Sequence, residues 1–570
     1  MLGVYGLHRK KFGGHAHRQN IEAPMAKRRL DLTEIRRVAR ENFGYDQLRP
    51  GQEQVIEHLL AGHDTLSIMP TGSGKSAIYQ IAALFIKGPT VVVSPLIALQ
   101  KDQVDSLDEI NVAKSAVINS TITAAQRRDA FGKLASGELE FLFLAPEQFA
   151  NDETMQRLLE SKPSLFVVDE AHCVTEWGHD FRPDYARLGS VIDALGHPRI
   201  IALTATASPT VQEEIVERLG MADAKVVVWG FDRPNIHLAV EKCDEDEIKQ
   251  RVLIGRVQKL PRPGIVYVAT RKHAEEIALL LRENNVAADA YHAGLKTAER
   301  TTIQETFMAE DDRVIVATNA FGMGVDKSNV RFVIHYDISD SLDAYYQEIG
   351  RAGRDGEPAQ ALLLYRSADV GRRRAQSASG KLELDQVEQL AETIARAGGP
   401  VDPAELTEQS DMSETKIAQT LNRLHDAGAV RFLPSGEVIA KKRVDQSAAA
   451  EQAVEQQENF RDQRMGRVEI MRDYAETGDC RRRYLLNYFG EKLPEPCGYC
   501  DNCEAGVVEQ QQRVDATLPF APKSRVVHRK YGEGIVMRYE QDKIVILFET
   551  AGEKELVTTF VVEKKLLKAV

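Results

Sequence analysis

The chain has 570 residues, 43% hydrophobic and 28% charged, with a formal net charge of −12, which implies several globular domains rather than a disordered or fibrous polymer. No run of about eighteen apolar residues exists to cross a membrane, and six cysteines are too few for a disulfide framework. The acidic balance excludes a uniformly basic nucleic-acid coat, but binding depends on local basic faces and not on the sum.

Residues 1–30 are rich in Lys, Arg and His and lack the apolar centre of a secretory signal, so they read as a basic disordered tail, with Met25 a second candidate start. A first unit, 31–228, opens with a helical stretch, Asp31–Asn42, followed by Phe43, Gly44, Tyr45, Arg49 and Gln52. The Gln52 amide has the donor and acceptor needed to pair with an adenine edge, and an aromatic nearby could stack on the base. The stretch Leu66–Ile78, LSIMPTGSGKSAI, is an apolar run, a glycine-rich turn and a helix start. Its backbone N–H groups form a nest for phosphate oxygens through Thr71, Gly72, Ser73 and Gly74. Lys75 can then reach the β- and γ-phosphates while Ser76 holds Mg²⁺. The usual pattern begins with glycine where this chain has Met69.

Short β-branched runs then alternate with helical stretches: Val91–Ser94, Ala116–Ile118, Phe141–Ala145, Leu165–Asp169 and Ile200–Thr204. Such runs predict an α/β unit with a parallel sheet covered on both faces and its ligand at the carboxyl strand ends. Asp169 at one such end suits Mg²⁺, and Glu170 beside it suits the attacking water. The next stretch, Val174–Tyr185, puts Trp177, His179, Phe181 and Arg182 on a loop whose rings could stack on unpaired bases or pack on the domain.

A second alternating unit, 229–370, runs through Gly264–Val268, Ala288–Tyr291, Val314–Ala317, Phe332–His335 and Ala361–Leu364, with no phosphate loop of its own. It carries Gly324 and Asp326, then Gln347, Arg351 and Arg354 among glycines. Two arginines three apart suit a charge delivered to a γ-phosphate across a cleft.

These stretches together resemble the RecQ family of DNA helicases from about Phe43 to Cys503, through PTGSGKS, SPLIALQKDQV, DEAHC, WGHDFRP, LTATA, YHAGL, ATNAFGMGVDK and YYQEIGRAGRDG in that order. The resemblance implies two RecA-like lobes closing on ATP with single-stranded DNA across their tops and 3′→5′ movement. It implies Tyr45, Arg49, Gln52, Gly324 and Asp326 at the nucleotide, Lys75, Asp169, Glu170 and Gln347 in hydrolysis, and Arg351 and Arg354 as arginine fingers. It also implies that the loop bearing Trp177, His179, Phe181 and Arg182 couples DNA to turnover.

Past Leu364 the sequence departs from that family, since Arg354 and Cys480 stand 126 positions apart. Within 381–445, the stripe Val387, Leu390, Ala391, Ile394 and Ala395 predicts one helix, Pro403–Glu408 a second, and Ser413 caps a third with Ile417, Leu421 and Leu424 inward. A hairpin through Val430–Phe432 and Val438–Ala440 ends in Lys441, Lys442 and Arg443, so the unit resembles a winged helix. Its third helix offers Lys416, Gln419, Asn422 and Arg423, leaving DNA contact and a docking or spacer role both open. In 446–507, Cys480, Cys497, Cys500 and Cys503 converge as four thiolates of a closed, structural zinc site. Residues 508–523 read as a linker, and 524–570 resemble the small Tudor/SH3-like barrel that ends UvrD-type helicases, a candidate contact for a protein partner.

The expected protein is an ATP-dependent DNA helicase using ATP, Mg²⁺ and Zn²⁺, acting on single-stranded and forked DNA in repair and recombination, cytoplasmic and, in a bacterium, nucleoid-associated. An RNA helicase with the same core is the alternative enzyme, disfavoured by WGHDFRP. A winged-helix and zinc regulator is the non-enzyme alternative, disfavoured by the retention of Lys75, Glu170 and both arginines.

Overall fold

The computed structural model describes residues 32–569, except 50, 71, 96, 111–112, 120–121, 176–183, 323–326, 378–379, 434, 509–517, 523, 541 and 549–550. Lobe 1 is a seven-stranded sheet of β1 (Thr65–Ile68), β2 (Thr90–Val93), β3 (Ser115–Ile118), β4 (Phe141–Leu144), β5 (Leu165–Val168), β6 (Arg199–Thr204) and β7 (Lys225–Val228), in the order β3-β4-β2-β5-β6-β1-β7. All of its pairings are parallel. Every residue of β1, β2, β4 and β5 is buried, because helices cover both faces of a parallel sheet.

Lobe 2 repeats the plan with β8 (Ile236–Lys242), β9 (Gly264–Tyr267), β10 (Ala288–Tyr291), β11 (Val314–Ala317), β12 (Phe332–His335) and β13 (Ala359–Tyr365), ordered β10-β11-β9-β12-β13-β8. Two strands escape the sequence reading, β7 and β8. Both are sheet edges with mixed burial, so neither shows a continuous apolar run.

Three helices, Leu384–Ala397, Pro403–Glu408 and Glu414–Asp426, and the hairpin of β14 (Val430–Phe432) and β15 (Val438–Ala440) enclose one core, as a winged helix does. Ser413 caps the third helix through the Lys416 N–H, and Gly398 at φ 66 ends the first. Helix Gln446–Glu476 follows, 31 residues long and capped by Asp445, then Arg481–Tyr488.

The C-terminal unit is a five-stranded antiparallel sheet of β16 (Arg525–His528), β17 (Gly532–Glu540), β18 (Lys543–Phe548), β19 (Gly552–Val557) and β20 (Leu567–Ala569), in which β20 returns to β16. Phe520, in the stretch read as a linker, packs against the core of this sheet, and Tyr539 Oη donates to its carbonyl at 2.9 Å. The sheet is also docked rather than tethered. Leu547 fits against Gly466 of the long helix so closely that a methyl on Gly466 would lie 2.7 Å from it, and Met537, Val545 and Leu547 share a core with lobe 2.

Candidate nucleotide site and zinc centre

β1 ends at Ile68, and the Met69 N–H donates to the Thr204 carbonyl at 3.0 Å, so the phosphate loop leaves the sheet between β6 and the edge strand β7. The turn needs left-handed backbone at Gly72 (φ 79) and Gly74 (φ 78), which is where glycine is required. Helix Lys75–Ala83 starts directly after it and directs its N-terminal N–H groups at the loop. Lys75 Nζ donates to the Met69 carbonyl at 3.2 Å and the Pro70 carbonyl at 3.5 Å. Burial depresses its pKa, Glu170 and Asp169 oppose that, and Arg354 adds to it. Gln103 Nε2 donates to Ser76 Oγ at 3.2 Å, and Tyr79 Oη donates to Gln103 Oε1 at 3.0 Å.

The segment before the loop props it. Gln52 Nε2 donates to the carbonyls of Ser73 at 3.0 Å and Gly74 at 2.8 Å, while its Oε1 accepts the Arg49 N–H at 2.7 Å. Arg49 donates to the Gly72 carbonyl. Tyr45 is 40% exposed beside Phe43, its ring parallel at 6.1 Å.

At the end of β5, Asp169 is buried and accepts the Glu170 N–H at 3.0 Å. Burial, reinforced by Glu170, pushes its carboxyl up to about 7 against the pull of Lys75. Glu170 takes φ 49, a conformation costing a non-glycine residue on the order of 1–3 kcal/mol that concentrates at functional sites. Its Oε2 is buried without a hydrogen bond, 3.4 Å from His172 Nδ1. His172 Nδ1 is 3.0 Å from Thr204 Oγ1, which donates to the Thr206 carbonyl at 2.9 Å. Tyr185, fully buried, donates to the Asp169 carbonyl at 3.1 Å.

Among the described residues, lobe 2 meets this site through Gln347 and Arg354. Gln347 Nε2 donates to Thr206 Oγ1 at 3.1 Å. Arg354 runs over the phosphate loop: a methyl on Gly72 would stand 3.5 Å from its Cγ. Arg351 does not reach. It is buried in lobe 2 beside Gly322 and the Tyr267 phenol, which burial pushes up to about 12 against the Arg351 charge. Thr71, Gly324, Asp326, Trp177, His179, Phe181 and Arg182 lie outside the described residues. Gln103 and His172 were not singled out from the sequence; the glutamine spacing in LQKDQ is the signal that could have found the first.

The sulfurs of Cys480, Cys497, Cys500 and Cys503 all lie within 4.8 Å of one another, and those of Cys497 and Cys503 are 4.0 Å apart. Zinc–sulfur bonds of about 2.3 Å in a tetrahedron require sulfur separations of roughly 3.8 Å, so the four fit one ion. The Cys497 N–H donates to Cys480 Sγ at 3.3 Å and the Tyr499 N–H to Cys497 Sγ at 3.4 Å, as backbone does around metal-bound thiolates. Cys173 and Cys243 are buried elsewhere.

The third helix of the winged helix is turned inward. Asn422 and Arg423 are 4% and 6% exposed. Arg423 donates to Gln457 Oε1 at 2.9 Å and lies 4.7 Å from the Phe460 ring centre, and Lys416 donates to Gln386 at 2.7 Å. Asn422 and Arg423 therefore face the long helix, while Lys416 and Gln419 stay half-buried. Lys441, Lys442 and Arg443 are exposed.

Fold and site together define a superfamily 2 helicase: two parallel-sheet lobes with phosphate loop, acidic pair and arginine meeting at their junction. Residues 49–215 match the DEAD/DEAH box helicase family, 248–356 the helicase conserved C-terminal domain, and 434–504 the RecQ zinc-binding family. An ATP-dependent DNA helicase RecQ of Pasteurella multocida is 37% identical over 509 residues, 89% of this chain and 67% of the relative. The probable ATP-dependent DNA helicase RecS of Bacillus subtilis is 33% identical over 506 residues, 87% of this chain and 98% of the relative. The DUF1998 helicase MrfA bound to DNA and AMPPNP shares the fold, with a TM-score of 0.52 at 18% identity over 75% of this chain and 63% of that one. The chain belongs to the RecQ family of ATP-dependent DNA helicases. ATP with Mg²⁺ and a structural zinc go with that membership, and Lys75, Ser76, Asp169 and the four cysteines fit them.

Proposed function

We propose that the chain hydrolyses ATP to move 3′→5′ along single-stranded DNA and unwind duplex or forked DNA in repair and recombination. The observation that carries this reading is the placement of Arg354 over the phosphate loop, with Gln347 bridged to Thr206. Phosphoanhydride cleavage requires positioning and neutralisation of charge rather than covalent help from the protein. Lys75 supplies a point charge to the phosphates, and Ser76 and Asp169 would hold Mg²⁺, which when bound would supply neutralising charge. Glu170 orients the attacking water. Arg354 completes the site only when the lobes close, which ties hydrolysis to their motion. Tyr45, Arg49 and Gln52 serve the base, and Thr71, Gly72, Ser73, Gly74, Gly324 and Asp326 the phosphates and ribose side. Arg351 acts as a support inside lobe 2.

Trp177, His179, Phe181 and Arg182 couple DNA to turnover, a role supported by the Tyr185 hydrogen bond that ties the end of their loop to Asp169. The exposed Lys441, Lys442 and Arg443 hold backbone phosphates near the fork without reading sequence. A protein partner on the C-terminal sheet is supported by the exposed side chains of Val557, Phe560 and Val562. The site of action is the cytoplasm or nucleoid. ATP hydrolysis measured with no nucleic acid, single-stranded DNA or RNA tests the assignment, together with unwinding of 3′- and 5′-tailed duplexes. DNA stimulation and a 3′-tail requirement are expected; stronger stimulation by RNA would replace the assignment with an RNA helicase.

A further inference from the structure

The lobes are joined by residues 229–235, which also grip the segment that carries Arg354. Arg233 donates to the carbonyls of Gly350 at 2.9 Å, Ala352 at 2.8 Å and Gly353 at 2.9 Å. Asn235 Nδ2 donates to those of Gly353 at 2.8 Å and Glu357 at 2.9 Å. These carbonyls belong to the turn that follows helix Leu342–Ile349, where no helical ladder continues to take them up. Gly353 stands at φ 55, and a methyl there would lie 2.4 Å from Asn235 Nδ2, so the clamp occupies space that only glycine leaves.

The connection is held in turn by the zinc module. Arg482, two positions after Cys480, is 7% exposed. Its Nη2 donates to the carbonyls of Arg233 at 3.2 Å, Pro234 at 3.3 Å and Ile236 at 2.7 Å, and its Nε lies 3.4 Å from the Asp232 carboxylate. Phe489 stacks on Phe231 at 4.7 Å, and Glu491 accepts the Phe231 N–H at 2.5 Å. Two guanidinium groups, buried Arg482 on the connection and half-buried Arg233 on the arginine segment, therefore stand in series. The planar guanidinium holds its donors in a rigid fork that meets several carbonyls in fixed directions, whereas the lysine ammonium is a compact charge on a flexible stem.

We propose that Arg482 and Arg233 are positioning residues for Arg354, through which the zinc module sets the rate of the composite ATP site. The proposal rests on the reading of Arg354 as the charge supplied by lobe 2. Neither residue need touch nucleotide: a displacement of about 1 Å at a reacting centre costs roughly a hundredfold in rate.

The test uses the full-length protein carrying Arg233→Lys, Arg482→Lys or Asn235→Ala, the last removing two hydrogen bonds without altering charge. DNA-stimulated kcat is expected to fall about 10- to 100-fold, while affinity for a non-hydrolysable ATP analogue, zinc content and melting temperature stay near wild type. Combined with Arg354→Ala, each substitution should add almost no further loss. Wild-type kcat in all three single variants, or losses that multiply fully with Arg354→Ala, would overturn the proposal. A variant that loses zinc or folds poorly is replaced in the comparison by Asn235→Ala, distant from the cysteines in sequence. Normal turnover by Arg354→Ala alone would instead overturn the parent reading.

Discussion

Each lobe has a parallel sheet of its own and encloses charged residues beside it, yet the two treat those residues in opposite ways. In lobe 1, Glu170 is in left-handed backbone with Oε2 buried and unbonded, and Asp169 is pushed up to about 7 by burial. In lobe 2, Glu348 is half-buried, but it accepts from His335 at 2.7 Å and Ser339 at 2.8 Å, which outweigh desolvation and hold its carboxyl below the usual range. Lys249, fully buried, donates to Asp369 at 2.6 Å and lies 3.8 Å from Asp337. Strain and an unmet acceptor thus coincide at the acidic pair of lobe 1, whereas these charges of lobe 2 are paired and form a frame that presents one arginine. Substitutions in the first region should cost turnover, and substitutions in the second should cost folding.

The largest effect should come from lobe 1. Lys75→Ala is expected to abolish ATP turnover with the fold intact, and Glu170→Gln to bind ATP but barely cleave it; steady-state kinetics beside a melting curve check both. Turnover within about tenfold of wild type would put the chemistry elsewhere. The zinc centre extends the frame, so Cys500→Ser should yield poorly folded protein instead of a soluble, altered enzyme, and metal analysis of wild type should return one zinc per chain. Zinc-free, well-folded protein would remove this part of the comparison.

Lys249→Met sharpens the contrast. It leaves Asp369 and Asp337 buried with less counter-charge, and about 3 kcal/mol of stability should be lost in denaturant unfolding. Intrinsic turnover of the surviving folded fraction should change little; a large kcat loss at unchanged stability would contradict the frame reading. The smallest effect belongs to a face outside both lobes. Replacing Lys441, Lys442 and Arg443 with Ala should weaken fork binding and flatten its salt dependence, leaving single-strand-driven hydrolysis intact. An unchanged salt slope would make the winged helix a spacer alone.

The phosphate loop, the acidic pair, the arginines and the cysteine spacing were legible because each is a short local pattern whose chemistry dictates residue types. Edges and packing partners were not. β7 and β8 are half-exposed, and β8 pairs with β13, whose partner residue for Ile236 is Ala359. The stripe of Lys416, Gln419, Asn422 and Arg423 has the composition of a DNA-facing helix, and nothing local says that Gln457 and Phe460 on the long helix meet it first. Nor does the spacing of Arg351 and Arg354 disclose which one crosses the cleft. A helical spacing would put both on one face, but Gly353 at φ 55 turns the chain, leaving Arg351 inside and sending Arg354 outward. The grip of Arg233 on that turn spans 117 positions to Gly350 and carries no sequence signature.

Single-strand-stimulated ATP hydrolysis by Arg354→Ala, beside affinity for a non-hydrolysable ATP analogue, tests most directly whether the site is completed across the cleft. With Arg354 as the charge supplied by lobe 2, kcat should fall by about a thousandfold or more while analogue affinity holds within a few-fold. Arg351→Ala should chiefly lower the melting temperature. Turnover by a folded Arg354→Ala protein within about tenfold of wild type would contradict the account.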